Sequence, residues 1–273
     1  MSVEASLSFQ TLARNSKNGF SEGSFTESVA HLLNRIDYRR ADTGDEREAI
    51  FRLRYQAYAR DGGILPNASR SFSDRYDEGG NVFLFGVYLD SELAGSIRIH
   101  VASKENPDCP SFEAFPDFLQ PEFDAGKVAI DSTRFVSDEA LARLHRALPY
   151  AISRLSGLAA QHFRTDHLLA AVRPEHQAFY RRTFHHRVVC EPRPYPGLAR
   201  PLSLMTVHYP SFVEEVHRRF PFFRSTLFER RILFDRPQVR AAAVQPAAAA
   251  GDCPALRCDR RRRCAIAEAA ALA

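Results

Sequence analysis

Tryptophan is absent from this 273-residue chain, although phenylalanine occurs 21 times. That imbalance points to no function class by itself. The five cysteines are odd in number and scattered at 109, 190, 253, 258 and 264. They form no disulfide framework, and a reducing cytoplasm is the expected location. Cys253, Cys258 and Cys264 lack paired CxxC spacing and a nearby histidine, which argues against a zinc knuckle. No metal site and no resident cofactor are expected. No N-terminal apolar run resembles a signal peptide, and nothing approaches the roughly 18 apolar residues of a membrane span. An excess of one charge is lacking too. The formal net charge is +4, and five Arg against Asp252, Asp259 and Glu268 place half of that after Arg240. The remainder is too small to argue for nucleic acid as a partner.

What is present is the balance of a globular protein, 45% apolar and 26% charged residues, in a chain long enough for one large domain or two small ones. Residues 1–24 are rich in Ser, Asn and Gly and are expected to be disordered. Residues 25–35 suit a short helix and Ile36–Arg40 a first strand. Thr43 and Glu46 match a capping box for a helix running to about Arg60, which places Ile50, Leu53 and Ala57 on one face. Arg54 and Tyr58, four apart, share another stripe. Gly62-Gly63 stops it. A loop with a short helical turn ends in Asp74-Arg-Tyr-Asp77, and Val82–Leu89 and Leu93–Val101 pair as a hairpin across Asp90-Ser-Glu. Residues 103–126 read as a long connection. A helix from about Glu139 to Phe163 should kink at Pro149. His167–Val172 is another buried strand, Pro174 opens a helix, and Arg187–Pro194 and Leu202–His208 are two closing strands. Phe212–Phe234 is basic, Phe-rich and helical. Beyond about Arg236 the chain is low in complexity and is expected to be a disordered tail. One α/β domain over residues 25–236, with tail 237–273, fits this order better than two domains.

The stretch that interrupts the pattern is VAIDSTRFVSD, Val128–Asp138. It reads as a buried strand carrying Asp131, Ser132 and Arg134. Burying an acid and an arginine in a sheet is costly unless they pair or do chemistry, and both readings are open at this point. Residues three apart on a strand face opposite ways. Asp131 and Arg134 can share a face only if a bulge inserts a residue between them.

These residues, taken with their neighbours, resemble a family. The element order is similar to the acyltransferase fold of the GNAT N-acetyltransferases and the autoinducer (acyl-homoserine-lactone) synthases. The polar residues resemble the synthase branch, above all the bacterial long-chain N-acyl amino acid synthases, over about residues 36–235. In the autoinducer synthases an arginine on the first helix is followed four residues later by an aromatic, here Arg54 and Tyr58. A pair of acids three apart follows (Asp74, Asp77), then an arginine on the strand after the hairpin (Arg98). An acid and an arginine three apart lie on the central strand (Asp131, Arg134). VRPEHQAFYRRTF and CEPRPYPGLARPLSL are similar to the acyl amino acid synthases. Two positions depart from the autoinducer pattern. The central acid is Asp rather than Glu, and about Ile64 stands where those enzymes have Trp. Both weigh against S-adenosylmethionine as substrate.

The resemblance implies a fold, a single GNAT-like domain with a mixed central sheet flanked by helices, and an activity, acyl transfer to the amine of an amino acid. Amide synthesis from a thioester needs a neutral amine, a polarised carbonyl and a sink for the thiolate's charge. In this fold strands 128–136 and 167–172 would splay, their free backbone groups holding the acyl carbonyl and pantetheine. Tyr180 matches the tyrosine that protonates the leaving thiolate, and a core aromatic is its other reading. Asp131 could take the amine proton directly or through water, with His176 as a second candidate base. Arg98 and Arg134 either clamp a substrate carboxylate or neutralise Asp74, Asp77 and Asp131, and Arg54 fits either role. The expected catalytic set is therefore Asp131, Tyr180 and Arg134. Substrate contacts are expected from Arg54, Tyr58, Asp74, Asp77, Arg98, Ser132 and His176.

Where many relatives have a glycine-rich turn to cradle the coenzyme A pyrophosphate, this chain has FVSDEAL, with two acids and no glycine. That favours acyl carrier protein over acyl-CoA as donor, with CoA as the alternative. Arg218, Arg219, Arg224, Arg230 and Arg231 would meet the acidic carrier, or form an ordinary solvated face, or touch a membrane surface. Competing functions are an autoinducer synthase, an acyl-CoA-dependent GNAT enzyme and an inactive module that binds an acyl carrier or lipid.

Overall fold

The structure is a computed structural model and describes residues 22–235. The expectations for the segment before Glu22 and for the C-terminal tail lie outside the described residues. A helix α1 (Glu22–Leu33) leads to edge strand β1 (Ile36–Arg40). Helix α2 (Gly44–Arg60) opens on the capping box, Thr43 Oγ1 accepting from Glu46 N while the Glu46 carboxylate accepts from Thr43 N. It stops at Gly62, whose φ of +63° suits glycine. Strands β2 (Val82–Leu89) and β3 (Glu92–Ala102) are joined by Asp90-Ser91, both at positive φ, the geometry of a tight two-residue hairpin turn.

The supposed long connection holds two short helices, α3 (Pro110–Ala114) and α4 (Pro116–Asp124), each begun by a proline in its first turn, where the missing N–H costs nothing. The central strand β4 (Ala129–Ser137) follows. The long helix expected next is two, α5 (Glu139–Leu144) and α6 (Leu148–Phe163). Pro149 lies in the first turn of α6 and starts a helix instead of kinking one. β5 (His167–Val172), α7 (Gln177–Phe184), β6 (Arg187–Arg193) and β7 (Leu202–His208) come next. The basic Phe-rich segment divides at Phe220-Pro221 into α8 (Tyr209–Arg219) and α9 (Leu227–Phe234).

The seven strands form one mixed sheet in the order β1-β2-β3-β4-β5-β7-β6. Every pairing is antiparallel except β4 with β5. One face packs Phe85, Ile97, Ile99 and Ile130 against Leu148, Ile152, Leu155 and Ala159 of α6, all buried. α6 comes so close that a Cβ on Gly95 would stand 2.4 Å from Ile152 Cδ1. The other face carries Arg98, His100, Asp131 and Thr133, buried without exception. That polar face determines the geometry of the site.

Candidate active site

Opposite Ser96–Arg98 of β3, strand β4 uses one residue more, since Ser96 pairs with Val136 and Arg98 with Thr133. The extra residue is a bulge at Arg134, whose φ is +51°. It reverses the alternation, so Arg134 joins Asp131 and Thr133 on the polar face. There Arg134 donates from Nε and Nη2 to Asp74 Oδ2, at 3.1 and 2.5 Å. Arg98 donates from Nη1 to Asp74 Oδ1 at 2.5 Å and from Nε to Thr133 Oγ1 at 3.0 Å. Ser132 points to the opposite face and donates to Ser156 of α6 at 2.8 Å.

Behind Asp74 lies a second layer of charge. Arg54 donates to Asp77 Oδ1 at 2.7 Å, and Arg98 approaches the same oxygen at 3.1 Å. Asp77 Oδ2 accepts from Asp74 N, which closes a single helical turn. Arg54 and Arg98 are fully buried and Asp77 nearly so. Burial lowers the Arg54 guanidinium to about 10 even beside its acid. Asp74 and Asp77 are themselves held below the usual carboxylate range by these arginines, despite burial pulling the other way. His100, buried beside Arg98, is pushed down to about 3 and stays neutral, donating from Nε2 to Tyr76 O.

Of the two roles open for these residues, substrate contact and mutual neutralisation, the packing places Arg54, Asp74, Asp77 and Arg98 against one another. None of the four is among the residues lining the cleft between β4 and β5, and their charges pair with one another. Their effect reaches the cleft through Arg134, whose guanidinium also packs on the Phe72 and Tyr58 rings, 4.6 and 5.6 Å from the centroids.

The cleft forms where the sheet opens. β4 and β5 pair only at Ala129–Asp131 with His167–Leu169 and then part. Between them, under the C-terminal end of α2, lies a cleft of about 1220 Å³ counting its open mouth. Tyr58, Ser132, Arg134, His176 and Tyr180 all line it. Among the described residues none bonds the Tyr180 hydroxyl, and burial raises its pKa. His176 is lowered to about 4 by burial and by Arg173, so it is neutral at pH 7. Ser132 and Tyr180, with Phe135, also line an apolar pocket of about 640 Å³ that runs between the sheet, α6 and α8 to Phe212, Val216 and Phe223.

Asp131, expected to take the amine proton directly or through water, is not among the residues that line the cleft. Its carboxylate is fully buried under α3. Oδ2 accepts from Ser111 N at 3.1 Å and Oδ1 from Ser111 Oγ at 2.7 Å. Burial raises its pKa. Ser111 Oγ lies 3.3 Å from the hydroxyl of Tyr195, and Tyr195 does line the cleft.

Sequence reasoning missed Ser111, Tyr195 and Arg200. Tyr195 and Arg200 lie in CEPRPYPGLARPLSL, a segment singled out only as a whole. Ser111 carried no signal. The loop that bears Tyr195 and Arg200 is held by Arg134 Nη2 donating to Pro196 O at 3.0 Å and by Ala199 N donating to Gly63 O at 2.9 Å. The other cleft arginines are paired: Arg60 with Glu139 at 2.8 Å, and Arg173 with Glu175 at 3.3 Å. Among the described residues no acid pairs with Arg200, which lies over the Gly62 turn.

A cleft at a parted pair of central strands, with an apolar pocket opening from it, has room for a polar group at its mouth and an apolar chain behind it. The family model described as N-acyl amino acid synthase FeeM matches residues 49–208. The chain belongs to that family. The chain is an N-acyltransferase. The solved structure of FeeM, an N-acyl amino acid synthase from uncultured soil microbes, superposes with a TM-score of 0.55 at 19% identity, covering 69% of this chain and 98% of that one. A CoA-dependent acyl-homoserine lactone synthase, BjaI, solved with MTA, superposes with a TM-score of 0.50 at 14% identity over 68% of this chain and 89% of that one. At these identities the two structures speak for the fold, an α/β acyltransferase fold of GNAT type. No curated protein matches the chain. Among the described residues no group of three His, Cys, Asp or Glu could hold a metal ion. No described helix is long and apolar enough to cross a membrane.

Proposed function

We propose that this protein transfers a long fatty acyl group from acyl carrier protein to the amine of an amino acid. The observation that carries this reading is the junction of two unlike spaces at Ser132, Phe135 and Tyr180: a polar cleft open to solvent and an apolar pocket behind it. An acyl chain suits the second, and a thioester carbonyl at the junction meets an amine arriving in the first. The amine nitrogen forms its bond to the carbonyl carbon, the C–S bond breaks, the thiolate takes the Tyr180 hydroxyl proton, and the proton the nitrogen loses on becoming an amide replaces it on Tyr180. The acceptor's carboxylate suits Arg200, the cleft arginine with no acid partner among the described residues.

The carrier-protein donor rests on the turn after β4. Asp138 caps α5 by accepting from Leu141 N at 3.0 Å, and Glu139 stands beside it, bonded to Arg60 and Arg143. The turn's Leu141 amide is occupied by Asp138, and the turn has no glycine, so it offers a pyrophosphate no free cradle of backbone amides. A carrier protein brings one phosphate near the site. Arg218 and Arg224 are exposed enough to receive an acidic carrier, whereas Arg230 is bonded to Gln161 and Ser225, and Arg231 to Asp235.

The test is turnover of purified protein with several acyl carrier protein thioesters and a mixture of amino acids, read by mass spectrometry. Linear acyl amino acids are expected, with kcat/KM far higher for carrier thioesters than for the matching CoA thioesters. A lactone formed from S-adenosylmethionine would make the protein an autoinducer synthase. Equal use of both donors would remove the carrier-protein assignment, and no product at all would leave only a binding module.

A further inference from the structure

The acyl transfer just proposed needs a neutral amine, yet Asp131, a carboxylate made more basic by burial, is sealed from the cleft. What connects the two is a row of hydroxyls. Asp131 Oδ1 and Ser111 Oγ are 2.7 Å apart, and Ser111 Oγ and Tyr195 Oη are 3.3 Å apart. Tyr195 is 5% exposed, and it lines the cleft beside Arg134. We propose that Tyr195 and Ser111 form a proton relay that carries the acceptor's amine proton from the cleft to Asp131, with Tyr195 as the catalytic residue that touches the amine.

The polarity of the row follows from its buried end. An ionised carboxylate only accepts, so the one hydroxyl hydrogen of Ser111 is committed to Asp131. The Ser111–Tyr195 contact must then have Tyr195 as donor, which leaves the lone pairs of Tyr195 Oη for an N–H in the cleft. Before the nitrogen bonds to the thioester carbon, one N–H bond of the acceptor's ammonium breaks and its proton passes to Tyr195 Oη, leaving the neutral amine that attacks. Tyr195's own proton moves to Ser111 Oγ, and that of Ser111 to Asp131 Oδ1. One proton enters at the amine and one is gained by Asp131, with no other co-reactant. The neighbouring Cys109 thiol does not compete for the role, because burial and the Asp131 charge keep it protonated. Asp131, raised above the ordinary carboxylate by desolvation, is the stronger base for it. Its remaining acceptor sites take Ser111 N–H, so protonation costs the site little rearrangement.

A relay differs from a mere structural tie in what pH and acceptor chemistry do to it. The relay accepts only while Asp131 is ionised, so kcat should fall on the acid side of a limb lying above the ordinary carboxylate range. Tyr195→Phe keeps the ring against Phe115 and removes the hydroxyl. It should lower kcat about a hundredfold, in the range general-base loss gives, with KM nearly unchanged and that limb gone. Tyr195→Phe and Asp131→Asn combined should be no slower than the worse single variant, because the two act as a unit.

The relay rests on the acyltransferase reading, and the experiment separates the two. Wild-type enzyme is assayed with an amino acid and with its aminooxy counterpart, whose amine is already neutral at the assay pH. Both substrates turning over, with Tyr195→Phe slow only on the amino acid, is the expected result. Equal slowing on both, additive losses in the double variant, or a wild-type pH profile in Tyr195→Phe overturns the relay while the acyltransferase reading stands. No product from wild type on either substrate overturns both. If Tyr195→Phe melts early, 3-fluorotyrosine at position 195 keeps the hydroxyl and changes its acidity. A shifted kcat supports the relay and an unchanged one removes it.

Discussion

At the scale of single residues, two buried arginines and two acids do most to define the site without touching it. Arg54 and Arg98 are wholly enclosed, and part of each guanidinium has no partner. They persist because Asp74 and Asp77 lie against them. Removing an acid leaves a buried charge uncompensated, so Asp77→Asn should cost about 3–5 kcal/mol, read as a fall in Tm. The pH dependence follows from the direction of the shifts. Asp74 and Asp77 are depressed in the folded state, so their stabilisation is complete above the unfolded carboxylate pKa of about 4 and is lost as pH falls further through the folded values. Asp131 is shifted the other way. Its burial is a cost at neutral pH that acid relieves. Wild-type Tm should therefore drop below about pH 4, and Asp77→Asn should flatten that drop while lowering Tm at pH 7. A different residue-scale test concerns Arg200. Arg200→Gln should raise KM for the amino acid about tenfold or more, since a hydrogen bond to a charged group is worth about 1.5–3 kcal/mol. A rise in donor KM instead would assign Arg200 to the carrier's phosphate.

At the scale of elements, the helix α6 faces the apolar pocket with Ser153, Ser156 and Gly157. A Cβ placed on Gly157 meets nothing within 4 Å, so a larger side chain can enter the pocket without displacing the helix. Gly157→Leu should leave Tm unchanged or raise it, because glycine costs a helix about 1 kcal/mol. It should also shorten the acyl chains accepted, which mass spectrometry of the products would show. An unchanged chain-length distribution would place the acyl group elsewhere. Elements are also where the sequence was most legible. Capping residues, hairpin turn residues and apolar periodicity are local, and the strands and α2 end close to where those signals put them. Pro149 was misread because a proline within a helical pattern looks the same whether it kinks one helix or begins a second. The bulge at Arg134 could be posed as an alternative but not chosen, since it depends on how β3 pairs with β4. The same is true of Asp131. Its residue type and neighbours marked it, but whether it meets substrate depends on α3 folding over it. Ser111 lies 20 residues away in the sequence, in a stretch that reads as a loop.

At the scale of the whole molecule, the question is where the folded unit ends. The described residues, 22–235, form one compact unit, and its last helix, α9, is tied in by a buried cation. Arg154 of α6 donates to Phe222 O at 2.6 Å, to Arg224 O at 2.8 Å, and to both carboxylate oxygens of Glu229, at 2.5 and 3.0 Å. Phe234, almost fully buried, packs against Phe83, Phe85 and Phe163. A chain ending after Asp235 keeps every one of these contacts and should melt and turn over like the full chain. A chain ending after Ser225 loses Glu229 and Phe234 together. Arg154 is then left with carbonyls alone, a loss of at most about 3–5 kcal/mol, the figure for a fully buried pair, since Glu229 is a third exposed. The space left by Phe234 adds about 3–5 kcal/mol more. Together these match the net stability of a typical domain, about 5–15 kcal/mol, so the shorter chain should not fold. Thermal denaturation and acyl transfer by the two truncations provide the check. A lower Tm or a loss of turnover in the chain ending at Asp235 would mean that residues 236–273 belong to the working enzyme.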